Sequence, residues 1–150
     1  MITKENIDKF LAAKSIAVVG VSGSGKKFGA MVYRDLKNKG RAVCGVNPKG
    51  GAIDGDPLYA SLTDVPEKPQ AAVIVVPPKI ALVVVKEAQQ SGVKNIWLQP
   101  GAESDDAVQF CRDHNLNVIH GECILMHADP VASIHKFHRF INKLFGKLPS

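Results

Sequence analysis

Five short apolar runs, in which hydrophobic residues do not alternate with polar ones, constrain the fold of this chain more than any other feature. A strand covered on both faces has such a continuous run, whereas a strand with one solvated face alternates. The longer amphipathic segments between the runs suit the crossover helices that parallel strands require. The sequence therefore predicts five parallel strands: Ser15–Gly20, Ala42–Val46, Ala71–Val76, Asn95–Leu98 and Asn117–Ile119.

Three amphipathic segments supply the crossovers: Phe28–Lys39, Ile80–Ser91 and Glu103–Asn115. The first two stop at Gly40 and Gly92, and glycine is typical just past a helix end. Right-handed connections wind such a series into an open sheet whose ligand crevice lies where the strand order reverses. We therefore predict an α/β fold: a Rossmann-like, doubly wound parallel five-stranded sheet of order 3-2-1-4-5, in three αβα layers, with the crevice above the first and fourth strands.

Three further segments complete the prediction. Asn47–Gln70 is rich in glycine and proline at its start and is predicted as a loop with a short helix or turn. Thr3 or Asn6 is expected to cap a short opening helix, and Asp129-Pro130 to begin a closing helix. The closing helix carries an apolar stripe at Ile134, Phe137, Ile141 and Leu144 that suits either packing on the sheet or a dimer interface.

Length and composition bound the class of protein. The 150 residues, 45% of them hydrophobic, predict a single domain over residues 1–150, and no apolar run is long enough to cross a membrane. Cys44, Cys111 and Cys123 are an odd, widely spaced set, and the first residues lack the apolar run of a signal peptide, so we expect a cytoplasmic location. The net charge of +5 suggests an anionic partner. The chain has no block of Lys and Arg residues of the kind that binds nucleic acid.

A glycine-rich segment, Gly20–Gly29, joins the first strand to the first crossover helix. Glycines let backbone approach an anion closely, and the free N–H groups at a helix start bind phosphates. Serines at 22 and 24 and lysines at 26 and 27 add further donors. The segment is therefore a candidate pyrophosphate site, and the alternative is a turn needed only for tight packing of strand against helix.

The residues after the first two strands narrow the choice of ligand. Gly20–Lys26 fits the G-x-x-x-x-G-K part of a nucleotide-binding P-loop, but Lys27 stands where Ser or Thr must hold magnesium. A dinucleotide site wants a carboxylate after the second strand, and the residues there are Asn47, Pro48 and Lys49. A lysine in that turn favours a ribose that carries an extra phosphate, which leaves NADP or coenzyme A.

Four motifs, in this order and at these intervals, carry a resemblance to a known family. They are Gly20-x-Ser22, Val46-Asn47-Pro48, Val76-Pro77-Pro78 and Trp97-Leu98-Gln99-Pro100-Gly101. As a set they closely resemble the stand-alone CoA-binding proteins of bacteria and archaea, over about residues 15–123. More distantly, the same segments resemble the nucleotide-binding domain of the succinyl-CoA synthetase alpha subunit.

The resemblance implies a set of ligand-binding residues. The diphosphate is expected on the glycine loop, the ribose phosphate near Lys49, and the adenine or pantetheine arm along the turns after the third and fourth predicted strands. Lys26 is added on position and charge alone. The predicted site residues are Gly20, Val21, Ser22, Gly23, Ser24, Gly25, Lys26, Asn47, Pro48, Lys49, Val76, Pro77, Pro78, Gln99, Pro100 and Gly101.

No catalytic residue is predicted. The related synthetases use a further domain with a phosphorylatable histidine, and the sequence stops at Ser150 before such a domain. No metal is predicted either: His120, Cys123 and His127 lack a fourth ligand, and the pair His135 and His138 also suits a basic helix.

Cys123 follows the last predicted strand, so we expect it to lie near the crevice. Two interpretations stay open: a mixed disulfide with the CoA thiol, or a buried apolar cysteine. Trp97 likewise lines either the pantetheine arm or the core.

The sequence thus predicts a protein that binds coenzyme A or an acyl-CoA and is not itself an enzyme, in a regulatory or accessory role, with a homodimer or a partner subunit possible. The alternatives are an NADP-dependent oxidoreductase, and a structural or partner-binding module.

Overall fold

Seven strands form one mixed sheet at the centre of the protein. The structure is a computed structural model and describes residues 2–25 and 27–128. Along the chain the strands are β1 (Ser15–Val19), β2 (Ala42–Val46), β3 (Ala52–Ile53), β4 (Asp56–Tyr59), β5 (Ala71–Ile74), β6 (Asn95–Leu98) and β7 (Asn117–Ile119). Their order in space is β3-β4-β2-β1-β5-β6-β7. The short edge strand β3 pairs antiparallel with β4, and the other pairs are parallel.

Helices cover both faces of this sheet. They are α1 (Lys4–Leu11), α2 (Phe28–Asn38), α3 (Pro78–Gln90) and α4 (Asp105–Asp113). Buried residues of α1 and α2 pack on one face, and those of α3 and α4 pack on the other. The predicted three-layer αβα architecture is therefore confirmed, because continuous apolar strands need cover on both sides.

The helix ends follow the expected chemistry. Thr3 caps α1 through a reciprocal pair of hydrogen bonds with Asn6, so of the two candidate caps Thr3 is the correct one. Gly40 and Gly92 both have a φ of +85° just past α2 and α3. The next amide, that of Arg41, donates to the carbonyl of Leu36 at 3.1 Å, which is the bond expected of a glycine-terminated helix.

Trp97 belongs to the core beneath α1. Its side chain is fully buried, and the Phe10 ring meets it edge-on with 5.2 Å between ring centroids. The indole N–H donates to the carbonyl of Glu122 at 2.8 Å, so the polar atom is satisfied. Of the two interpretations of Trp97, core packing is confirmed.

The α/β, Rossmann-like, doubly wound character is confirmed, but the predicted strand count and order are wrong. The order 3-2-1-4-5 would place Ala71–Ile74 beside β2, whereas this strand pairs with β1. The position next to β2 is occupied by Asp56–Tyr59, in the segment predicted as a loop with a short helix or turn. The cleft therefore lies above β1, β5 and β6: the first and fourth predicted strands both border it, but the third predicted strand, β5, lies between them.

The missed strands belong to a β-hairpin around Asp54-Gly55. These two residues have φ of +51° and +86°, as a two-residue turn of type I′ requires. The Asp-Gly pair was a usable signal. The flanking strands are only two and four residues long, and a proline at position 57 further obscures them.

The predicted closing helix, from Asp129-Pro130 onward, lies outside the described residues, as do its apolar stripe and the pair His135 and His138. Across residues 2–25 and 27–128, no helix has both the length and the apolar character needed to span a membrane.

Replacement of Phe10 by alanine tests the packing of α1. Phe10 is fully buried against Trp97, so we expect Phe10→Ala to lower the free energy of unfolding by about 3–5 kcal/mol. Lys9→Ala, on the exposed side of the same helix, should change it by less than about 0.5 kcal/mol. Urea denaturation measures both, and similar values for the two variants would contradict the packing described.

Candidate functional site

A cleft of about 390 Å³ opens at the carboxyl ends of the central strands. In an open α/β sheet this edge is where ligands bind, at the point where strand order reverses. The turns after β1, β5 and β6 and the first residues of α2 form its walls. The lining residues are Gly20, Lys27, Phe28, Gly29, Val75, Val76, Pro77, Gln99, Pro100, Gly101 and Ala102.

Two glycines bring α2 unusually close to the strands. A β-carbon at Gly20 would collide with the carbonyl of Val75, and one at Gly29 would collide with the carbonyl of Gly20. Gly20 also has a φ of +107°, in the region that favours glycine. Only hydrogen atoms fit at these positions, so the start of α2 lies directly against the end of β1.

The loop between Gly20 and α2 is compact and rich in donors. The Ser22 and Ser24 hydroxyls lie 2.8 Å apart, and the Gly25 amide donates to the Ser22 carbonyl at 3.0 Å. Gly23 and Ser24 are exposed. No acidic residue stands in the first turn of α2, so the positive end of its helix dipole is not neutralised there. These features suit an anion such as a phosphate.

Asn47 joins the turn after β2 to the glycine loop. Its side-chain amide donates to the carbonyl of Val21 at 2.8 Å, and its side-chain oxygen accepts from the amide of Lys49 at 2.8 Å. The Gly20 amide in turn donates to the carbonyl of Val46 at 2.9 Å. The loop and the lysine turn therefore form one connected surface beside the cleft.

An arginine from α2 braces the far end of the loop. Arg34 donates from Nη1 to the carbonyl of Gly25 at 2.8 Å, and from Nε and Nη2 to the two carboxylate oxygens of Asp54, both at 2.7 Å. This hydrogen-bonded guanidinium holds the pKa of the Asp54 carboxyl below its usual range. The pair thus links the helix, the loop and the hairpin.

A second carboxylate, Asp56, fastens the hairpin to the same helix. It accepts a hydrogen bond from the Tyr33 hydroxyl at 2.7 Å and forms an ion pair with Lys37. The hydrogen bonds from Lys37, the larger effect, and from Tyr33 lower the pKa of the Asp56 carboxyl. Burial, the larger effect, and the hydrogen bond to Asp56 raise the pKa of the Tyr33 hydroxyl. Asp54 and Asp56 are thus both hydrogen-bonded to side chains of α2.

The structure divides the predicted site residues into two groups. Those that line the cleft are Gly20, Val76, Pro77, Gln99, Pro100 and Gly101. Those on the neighbouring loop and turn are Val21, Ser22, Gly23, Ser24, Gly25, Asn47, Pro48 and Lys49. The Val21 side chain is fully buried in the core, and Pro78 is the first residue of α3. Lys26 lies outside the described residues.

Five lining residues stand outside the predicted set of site residues: Lys27, Phe28, Gly29, Val75 and Ala102, although Lys27 is predicted as a donor of the glycine-rich segment. Lys27, Phe28 and Gly29 adjoin the glycine loop, and the contact of Gly29 with Gly20 depends on how the helix leaves the strand. The spacing of Gly20, Gly23 and Gly29 carried a signal for this contact, since a later glycine in such loops serves close helix–strand packing.

Gln99 and Cys123 form a pair behind the cleft. Gln99 is 1% exposed, and its side-chain oxygen accepts from the amide of Ile124 at 2.7 Å. Its side-chain nitrogen lies 3.5 Å from the Cys123 sulfur, which is half-buried. Both polar atoms of the Gln99 side chain therefore contact the chain after β7. The mixed disulfide between Cys123 and the CoA thiol stays a prediction.

The other two cysteines lie in the body of the fold. Cys111 is fully buried on α4, and Cys44 in β2 packs against the same core while partly exposed. Burial raises the pKa of Cys111 to about 12 and that of Cys44 to about 11, so both thiols stay protonated at neutral pH.

The candidate metal ligands do not assemble. His127 bonds through Nε2 to a Glu122 carboxylate oxygen at 3.0 Å. Within the part of the chain that the structure describes, no group of three or more His, Cys, Asp or Glu side chains is arranged to hold a metal ion.

Comparison with known proteins agrees with this geometry. The sequence profile of the family described as "CoA binding domain" matches residues 14–129, which contain the whole sheet and its cleft. This chain belongs to the CoA-binding domain family. The predicted resemblance is thereby confirmed at the level of the family.

The curated relatives of this family member are larger proteins. Over 129 residues it is 27% identical to the alpha subunit of an ADP-forming acetate–CoA ligase II from Pyrococcus furiosus, covering 79% of this chain and 28% of the relative. Over 143 residues it is 26% identical to an ADP-forming acetate–CoA ligase I from Archaeoglobus fulgidus, covering 89% and 21%. The chain thus spans less than a third of either relative.

Solved structures of similar size share the fold. A conserved hypothetical protein from Pyrococcus furiosus is 37% identical with a TM-score of 0.69, covering 75% of this chain and 97% of that one. A hypothetical protein from Pyrococcus horikoshii is 29% identical with a TM-score of 0.77, covering 83% and 88%. These two neighbours match this chain over most of their own length.

The close approach of α2 to β1 generates a stability prediction. A β-carbon at Gly29 meets backbone that cannot rotate away, so we expect Gly29→Ala to lower the free energy of unfolding by about 2–4 kcal/mol. Gly23→Ala, in the loop that precedes α2, is the control: its β-carbon would lie 3.3 Å from the Ala52 carbonyl, against 2.1 Å from the Gly20 carbonyl for Gly29, so we expect it to cost about 1 kcal/mol or less. Thermal and urea unfolding measure both, and equal losses would contradict the assigned contact.

Proposed function

We propose that this protein binds coenzyme A or an acyl-CoA in the cleft above β1, β5 and β6. The observation that carries the proposal is one continuous surface that combines the glycine loop, the Lys49 turn and the cleft. Coenzyme A needs three such parts: a place for a diphosphate, a place for a ribose phosphate and a channel for the pantetheine arm. Family membership supports the same ligand.

The glycine loop suits the diphosphate. Residues 22–25 offer serine hydroxyls and backbone amides beside the start of α2, where the helix dipole favours negative charge. Gly20 and Gly29 bring this helix start against β1, so the donors stand at the mouth of the cleft. We assign diphosphate binding to Gly20, Ser22, Gly23, Ser24 and Gly25, with Lys26 as an added charge.

The turn after β2 suits the ribose phosphate. Asn47 fixes the backbone of Lys49, and this lysine is exposed beside the loop. A ribose with free hydroxyls would instead be met by a carboxylate in that turn. The nearby acids Asp54 and Asp56 are engaged by Arg34 and by Lys37 with Tyr33. This charge pattern favours coenzyme A over NAD.

The cleft suits the pantetheine arm. Its walls include Phe28, Val76 and Pro77, which offer apolar surface, and the exposed turn Pro100-Gly101 continues along the same edge. Among the described lining residues, Gln99 is the one with a side-chain amide, and this buried group is already hydrogen-bonded to the chain after β7. The arm would therefore be held mainly by shape and apolar contact.

We propose binding without catalysis as the role of this chain, in a regulatory or accessory capacity. Among the described residues, none of the histidines is paired with a cysteine or serine nucleophile. Partner subunits are a reasonable expectation, since two of the relatives are named as alpha subunits. A homodimer is equally compatible with the described part of the fold.

A single domain over residues 1–150 and a cytoplasmic location complete the proposal. All three cysteines are free thiols, as is typical of proteins in a reducing compartment. The partner is a small molecule, and neither nucleic acid nor a membrane is expected to bind.

Calorimetric titration of ligand-free protein with CoA, acetyl-CoA, NADP and ATP tests this function. We expect CoA or acetyl-CoA to bind with at least about tenfold lower Kd than NADP or ATP, a difference of about 1.4 kcal/mol, since only these ligands fill both the phosphate sites and the pantetheine cleft. Binding of NADP or ATP without CoA would contradict the proposal.

The ribose-phosphate assignment is tested separately. Lys49→Ala should weaken the binding of CoA by about 1–3 kcal/mol, as expected for loss of a charged hydrogen bond, and leave the affinity for dephospho-CoA nearly unchanged. Lys79→Ala removes an exposed lysine at the same sheet edge, at the start of α3, and should affect neither ligand. If Lys49→Ala lost the same affinity for both ligands, the assignment of Lys49 to the ribose phosphate would be wrong.

A further inference from the structure

Arg34 connects three separate parts of the phosphate-binding region. It belongs to the second turn of α2 and contacts the last residue of the described glycine loop, Gly25, through the backbone carbonyl at 2.8 Å. It also makes two parallel hydrogen bonds, each 2.7 Å long, to the Asp54 carboxylate at the tip of the hairpin. One side chain thus links the glycine loop, the hairpin and α2.

The guanidinium group suits such a bridge. Its donors lie in one rigid plane, so engaging both oxygens of Asp54 fixes the orientation of the remaining edge that faces the Gly25 carbonyl. A lysine ammonium has no such fixed plane and would bind one partner at a time. The geometry of the Asp54 pair therefore sets the position of Gly25.

The loop needs external support at this point. Gly25 has a φ of +72°, and because glycine has no side chain, more backbone conformations are accessible to it than to other residues. On its inner side the loop touches the hairpin, because a β-carbon at Gly23 would lie 3.3 Å from the Ala52 carbonyl. Without Arg34, the outer end of the described loop would lose its side-chain anchor to α2.

We infer that Arg34 is a positioning residue that holds the glycine loop against the hairpin in the shape that accepts a diphosphate. This inference rests on the proposed binding of coenzyme A and extends it, because it assigns a binding role to a residue outside the cleft. The phosphate itself need not touch Arg34. The arginine acts by keeping the loop ordered before the ligand arrives, which lowers the entropy lost on binding.

Lys37 provides a matched control on the same helix. It lies one turn beyond Arg34 and pairs with the other hairpin carboxylate, Asp56. Its contact joins α2 to the hairpin but does not reach the glycine loop. Both pairs are partly exposed, so their contributions to global stability are expected to be small and similar.

The experiment compares Arg34→Met, Asp54→Asn and Lys37→Met with the wild-type protein. Asn is well suited to the left-handed turn position of residue 54, so Asp54→Asn removes the charge and leaves the hairpin turn intact. Circular dichroism establishes that each variant is folded at the temperature of measurement. Two readouts follow: the Kd values of CoA and dephospho-CoA, and millisecond hydrogen exchange of the amides at residues 22–25.

We expect Arg34→Met to raise both Kd values about tenfold and equally, since the diphosphate is common to the two ligands. Asp54→Asn should raise them about threefold, because Arg34 keeps its bond to Gly25 but loses its anchor. Lys37→Met should stay within twofold of wild type. Loop amides should exchange faster in Arg34→Met and Asp54→Asn than in Lys37→Met.

Two results would overturn the inference: wild-type affinity and loop exchange in Arg34→Met, or changes in Lys37→Met as large as those in Arg34→Met. If the wild-type protein binds no CoA, the proposed function fails on its own account. The exchange measurement then still decides the role of Arg34, because faster loop exchange confined to Arg34→Met and Asp54→Asn supports it and equal exchange in all proteins refutes it.

Discussion

The contact between the end of β1 and the start of α2 is the constraint on which the rest of the candidate site depends. Gly20 and Gly29 meet backbone to backbone, and no side chain fits between them. This approach places the first amides of a helix, with its positive dipole end, at the carboxyl edge of the central strand. The cleft, the serine hydroxyls and the turns after β5 and β6 are then arranged around that point.

The β3–β4 hairpin is joined to α2 and, through Arg34, to the glycine loop. Two carboxylates, Asp54 and Asp56, face basic groups of α2, so their usual tendency to repel a phosphate is offset by neighbouring cations. The low pKa of both carboxyls has a consequence for folding. Stability from these pairs is present above the ordinary aspartate pKa and is lost as the pH falls through the lowered values of the folded state.

Membership of the CoA-binding domain family and the geometry point to the same class of ligand by independent routes. The two ligase relatives are several times longer than the region that they share with this chain. Several polar side chains around the cleft hold the surrounding loops in place. The side chains of Asn47, Gln99 and Arg34 all form hydrogen bonds with other parts of the protein.

The sequence by itself determined the fold class, the five central strands, the crossover helices and the loops at the ligand edge, because apolar continuity and glycine position are local signals. Only the tertiary structure decided the strand order, since a two-residue β3 and a four-residue β4 are held by pairing and by ion pairs to α2 rather than by their own propensity. It also decided which of the predicted residues line the cleft. The Val21 side chain is buried in the core, and Gln99 bonds to the chain after β7. Gly29 and Arg34 contact the glycine loop, because side-chain direction depends on packing partners far apart in sequence.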